Sequence, residues 1–303
     1  AALCRVMGKS KVTMISSLAM NLCNILCNYI FIYRLDWAVF GAGFATLLSR
    51  TLALLILVKV LSNAQNIISI QWNSWGIKLD IIKSILKIGI PTGVESGIFQ
   101  VGKIMVQGII AAAGTASIAG NAVANALVLF VSLPGNGISL GIVPIVGRAV
   151  GARKLDEAKF YGKYLIFCSC ILIGIVSIPF TLFVSFWVEI YHLSTEAANI
   201  AKWIIVYHNI LAIFLWAPSF ELPSVLRAAS DVKYTLKVSV ISLIFCRVLL
   251  GYLLGQYIGL GAVGVWIAMS VDWLVRGGFF TYRFRSGKWL RYKADDIAVK
   301  EIC

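Results

Sequence analysis

The sequence predicts an all-α integral membrane protein, a helical bundle of about eight transmembrane helices. Three observations carry that prediction. Of 303 residues, 60% are hydrophobic and 13% charged, and mean hydropathy is +0.89, which is more apolar surface than one water-soluble core can hide. The apolar residues fall in runs long enough to cross a hydrocarbon core of about 30 Å at about 1.5 Å per residue. Basic residues crowd every second loop, as a topology signal does.

The predicted spans are 12–33, 38–60, 88–112, 118–146, 163–187, 201–225, 235–257 and 262–284. Counting lysines and arginines at alternate ends places twenty-one on one side, from Arg5 to Lys300, and two on the other, Arg34 and Lys202. That asymmetry predicts cytoplasmic termini in a multi-pass plasma-membrane protein. It also explains the net charge of +14 as loops facing anionic lipid, and argues against a nucleic-acid partner. The segment 62–84 is too polar to span, and Trp72 and Trp75 mark it as an amphipathic linker on the inner surface between lobes. In the loop 147–163, Asp156 and Glu157 stand among several cations as a solvated turn.

Other function classes lose support on composition. The seven cysteines are scattered, five of them in apolar runs, and form neither a disulfide framework nor a zinc pattern. His192 and His208 are the only histidines. No nucleophile, metal set or acid and base pair marks a membrane enzyme, and no cofactor is expected.

The chain also repeats itself. Arg5, Lys11 and Thr13 recur as Arg227, Lys233 and Thr235, and Gly41 and Ala45 as Gly264 and Ala268, within one plan of basic loop, span, short outer turn, glycine-opened span and basic exit. The second copy follows four spans, so a parallel duplication predicts about four helices ahead of the first copy as well. The expected parent has twelve spans in two lobes of six.

Ionisable residues inside spans are the candidate functional groups, because each costs about 2.5–3.5 kcal/mol on insertion scales unless it faces a protein-lined cavity. Glu95 follows Pro91 by one turn, at what the pattern reads as a loosened helix start. Ser96, Gln100, Lys103 and Gln107 form a polar stripe on the same helix, either a cavity wall or a helix contact. Asn121 and Asn125 stand one turn apart, as a helix tie or as site residues, ahead of Pro134, Gly135, Gly137 and Gly141, which predict a bend. Trp216 and Phe220 accompany Glu221, and Pro218 and Pro223 bracket the acid and are expected to interrupt the helix and free carbonyls beside it. Arg227 is the alternative, structural partner of Glu221. Asp272 and Arg276 read as an i, i+4 pair, whereas Arg50 and Arg247 have no local partner. Asn21, Asn24 and Asn28 suggest hydrogen bonds between helices.

GIPTGVESGIFQVGKI, AGNAVANALVLFVSLPGNGISLGIVPIVGRAVGARKLDEAKFYGK, LPSVLRAASDVKYT and GLGAVGVWIAMSVDWLVRGGFFTYRFRSGKW closely resemble the second lobe of the multidrug and toxic compound extrusion (MATE) transporters. The resemblance implies that 1–61 is the last two helices of a first lobe, 62–84 the linker, 85–285 a six-helix second lobe and 286–303 a cytoplasmic tail, in a chain lacking about the first four helices. It implies an antiporter, monomeric in its full-length form, that exports organic cations or other amphipathic compounds against Na+ or H+. Glu95 becomes the leading residue for the coupling ion, including a sodium ion, and Glu221 the second. In related second lobes the first acid often stands a turn farther from the proline, where this chain has Phe99, and the other nearer the Trp216 position. A flippase of lipid-linked precursors, from the same wider superfamily, is the alternative that Lys103, Arg50 and Arg247 support.

Overall fold

The computed structural model describes residues 1–63 and 79–293, so most of the expected linker 62–84, with Trp72 and Trp75, and the tail beyond 293 lie outside the described residues. Two compact units divide at Lys78 and Leu79.

In the first unit a short helical segment, Ala2–Val6, precedes α1 (Ser10–Arg34) and α2 (Ala38–Leu61). The two run antiparallel, since Ser16 donates to the carbonyl of Ala53 at 3.4 Å and the Asn24 amide to Ser49 at 3.3 Å. Asn28 donates to Asn24 within α1. Phe31 stacks on Trp37 at 5.3 Å and closes the tight connection.

The second unit is six long helices: α3 (Leu79–Ala112), α4 (Thr115–Gly151), α5 (Leu155–Leu182), α6 (Thr195–Ala228), α7 (Val232–Tyr257) and α8 (Gly261–Arg285). Helices are the expected answer to a medium without water, because each backbone group finds its partner within the segment. Their ends carry ordinary signals. Ser194 caps α6 by accepting from Ala197, Asp156 and Glu157 open α5, and Arg283 and Arg285 close α8. Lys154 binds Glu157 at 2.8 Å, and Lys159 lies 3.8 Å from Asp156, in the predicted basic turn.

Among the described residues seven helices are long and apolar enough to cross a membrane, and with the broad exposure of leucine, isoleucine and phenylalanine they describe a multi-pass membrane protein. The eighth predicted span lies in α3, which at 34 residues is long enough but is diluted by Glu95, Gln100, Lys103 and Gln107. Pro91, read as a loosened start, sits well inside this helix. Pro134 and Pro144 likewise lie within α4, which stays helical throughout.

Apolar cores hold the second unit together, two of them large. One gathers Ile110, Leu127, Ile204 and Trp266, and the other Ile142, Val146, Leu226 and Phe280. Where α7 meets α8 the backbones nearly touch: a Cβ on Gly264 would stand 2.6 Å from the carbonyl oxygen of Leu254. Gly264→Val should therefore force the helices apart and cost about 1–3 kcal/mol. Gly278→Ala, where nothing lies within 4 Å, should stay within about 0.5 kcal/mol. Thermal unfolding in detergent checks both.

Candidate coupling and substrate site

Four stretches among the described residues widen into π-helical turns: Tyr29–Arg34, Ala217–Glu221, Leu243–Leu249 and Leu253–Tyr257. Such turns recur at functional sites. Two of them carry charges in mid-span, Glu221 and Arg247. Around Pro218 the chain does not break, as the prolines suggested it would; it takes one wider turn that aims Glu221 inward.

Glu95 is 8% exposed, and both of its oxygens are taken. Ser239 donates to Oε1 at 2.7 Å, and Arg227 approaches Oε2 at 3.3 Å. The free, water-reached carboxylate expected here is thus a helix tie joining α3 to α6 and α7, and a sodium ion would have to displace one of these partners. Arg227 accordingly pairs with Glu95 and not with Glu221.

Glu221 is 1% exposed and keeps an open oxygen. Ser169 of α5 donates to Oε1, whereas Oε2 has no hydrogen-bond partner. Among the described residues Glu221 takes part in no ion pair. Gly135 makes room for it: a Cβ there would lie 2.6 Å from Oε1 and 2.9 Å from the indole nitrogen of Trp216. An aromatic group surrounds the acid's turn. Trp216 and Phe220 have centroids 4.4 Å apart, Trp273 stands edge-on to both, and His208 packs against Trp216, Trp266 and Trp273. His208 bonds to Asn209, which reaches Thr181 at 3.0 Å.

Asp272, fully buried, accepts from Ser242 and lies 3.0 Å from Arg247 on α7, closer than the 3.9 Å to Arg276. The local pair read from spacing is therefore secondary, and Arg247 does have a partner. Asn121 ties three helices, donating to Gln107 at 3.3 Å and accepting from Trp266 at 2.9 Å. Asn125 returns to the backbone of Asn121. Gln100 is exposed, as are Lys103 and, in the first unit, Arg50.

Sequence reasoning missed Ser169, Ser239, Ser242, His208 and Trp273. A serine or histidine on an apolar face is the available signal, and it is weak beside the many serines that merely bond their own helix.

The fold and these intramembrane charges define a polytopic helical protein with a polar interior. The MatE family model matches residues 91–253, and the chain belongs to that family. It is 25% identical to "Uncharacterized transporter YisQ" of Bacillus subtilis, covering 96% of this chain and 64% of that one. "Probable multidrug resistance protein NorM" of Thermotoga maritima is 26% identical over 95% of this chain and 62% of its own length. The chain thus spans less than two thirds of these relatives. Among solved structures, a MOP superfamily transporter of Pyrococcus furiosus, described as having a binding pocket of reverse polarity, matches with a TM-score of 0.84 at 19% identity, over 94% of this chain and 64% of that one. An outward-facing multidrug resistance MATE family transporter matches at 0.81 and 20% identity, over 93% of this chain and 64% of its own. These relatives are transporters, not enzymes.

If Glu95 is a tie, Glu95→Gln should lower stability by about 1–3 kcal/mol. Arg227→Gln should do the same, and the double variant should lose less than the sum of the two, as measured by unfolding in detergent.

Proposed function

We propose that the protein works as a secondary active antiporter that exports amphipathic small molecules in exchange for protons, with Glu221 as the carboxyl that takes the coupling ion. The observation that carries this reading is the open Oε2 of a buried acid to which, among the described residues, no arginine or lysine is paired. Such a group can load and unload an ion without first breaking a salt bridge, which Glu95 and Asp272 cannot do. Ser169 is its one side-chain hydrogen-bond partner among the described residues, a donor set that suits a proton better than a metal cation needing several oxygens.

The π-helical turn and Pro218 support the same reading, because a helix with relaxed backbone bonding can shift between two arrangements as the acid gains or loses its charge. The relatives' names supply the cargo class, multidrug export. The protein is taken to act as a monomer in the plasma membrane, with both ends of this chain cytoplasmic.

Proteoliposomes holding the intact protein test the assignment, with efflux of a cationic dye, ethidium, and an anionic one, fluorescein, followed under an imposed pH or sodium gradient. The pH gradient should speed the efflux of at least one dye. Glu221→Gln should lower that rate about tenfold or more while leaving unfolding unchanged. Drive by sodium alone, no movement of either dye, or a Glu221→Gln protein that transports normally would overturn the assignment.

A further inference from the structure

One ring gathers three cations. The ammonium of Lys103 lies 5.4 Å from the centroid of Phe99, the Arg247 guanidinium 4.9 Å and the Arg276 guanidinium 5.6 Å. Asp272 is the only carboxylate among the described residues that pairs with any of them, and it is shared between the two arginines. Glu95 acts on Arg276 only from a distance, and its own partner Arg227 brings a further positive charge that opposes it. The neighbourhood therefore carries more positive charge than its own side chains neutralise. Ring faces and partial solvent access ease that excess without cancelling it.

The excess borders a cavity of about 230 Å³ in the second unit. Lys103, Gln107, Asn121, Asn125, Arg247 and Trp266 line it, and the remaining wall is apolar, Val106, Ile110 and Met269. Arg247 is 3% exposed, and its Nε has no hydrogen-bond partner. A buried guanidinium nitrogen left open beside a cavity, with an ammonium on the same wall, is a recognition element for an anion.

We propose that this cavity binds the carboxylate or phosphate end of an amphipathic anion, so that the exported cargo is negatively charged at its polar end. The proposal rests on the transport reading and specifies its substrate class. One anionic group set against Lys103 and Arg247 turns their mutual repulsion into two charge-assisted contacts. Trp266 and the apolar wall take the adjoining apolar atoms. The space suits a head group rather than a whole drug-sized molecule, whose pockets run to about 300–1,000 Å³. A cationic cargo would meet three like charges around Phe99 and be rejected. Glu221, which takes no part in this cluster, remains free to serve as the separate ion site.

Equilibrium dialysis of the intact protein, in detergent and without any gradient, tests this with three probes of one shape: 1-naphthylacetate, 1-naphthyl phosphate and 1-naphthylmethylamine. At least one anion should bind about tenfold or more tightly than the amine, the scale of one charge-assisted contact. Lys103→Gln should lose about that factor for the anion and none for the amine, and Lys103→Arg should restore it. Lys83→Gln, an exposed change near the start of the same helix, should leave binding alone.

Competition by phosphatidate in lipid nanodiscs would assign the anion to a lipid head group, and failure of that competition to a soluble compound; both outcomes support the site. Equal or tighter binding of the amine, an inert Lys103→Gln, or an equal loss in Lys83→Gln would overturn it. Since no gradient is involved, loss of binding leaves the Glu221 assignment standing. Binding without pH-driven efflux sinks that assignment and leaves the cavity.

Discussion

The structure depends on how charge is neutralised where water is scarce. An ionisable side chain inside a spanning helix is tolerated when a partner meets it, and the second unit meets most of its own. Glu95 is met by Arg227 and Ser239, and Asp272 by Arg247, Arg276 and Ser242. These contacts link α3, α6, α7 and α8. Among the described residues two groups in the spans stand outside the matching. Glu221 has an open oxygen, and Lys103 has an aromatic ring where a carboxylate would be expected.

That division is the basis on which structural charges are separated from the proposed working ones. A paired acid is an expensive place to bind an ion, because loading it strands a buried arginine. An unpaired acid carries no such cost, and the local geometry accommodates one: Gly135 yields space, Ser169 donates to one oxygen, and the wide turn at Ala217–Glu221 delivers the side chain. Arg247 reaches its cavity from a second wide turn, Leu243–Leu249. On the proposed assignments the proton site and the cargo site are separate, and their coupling would travel through the helices that carry both.

Much of the architecture was legible from the chain because span length, apolar content and basic loops are local properties. Glu95, Lys103, Glu221 and Asp272 stood out for the same reason, being the wrong residue type for their depth. Pairing was not legible. Arg227 lies 132 positions from Glu95, and Ser239 lies 144, so no periodicity connects them. Spacing favoured Arg276 for Asp272, but three-dimensional proximity favours Arg247. The π-helical turns have no residue signature beyond Pro218, and the serines that serve the acids look like any small residue on a packed helix.

The central claim is that Glu221, and not Glu95, is the intramembrane carboxyl that exchanges a proton. Infrared difference spectra of the intact protein in lipid, taken between alkaline and acidic buffer, read it most directly. The account predicts a carboxylic-acid carbonyl band on acidification that disappears in Glu221→Gln and persists in Glu95→Gln. A band that survives in Glu221→Gln and is lost in Glu95→Gln would contradict it.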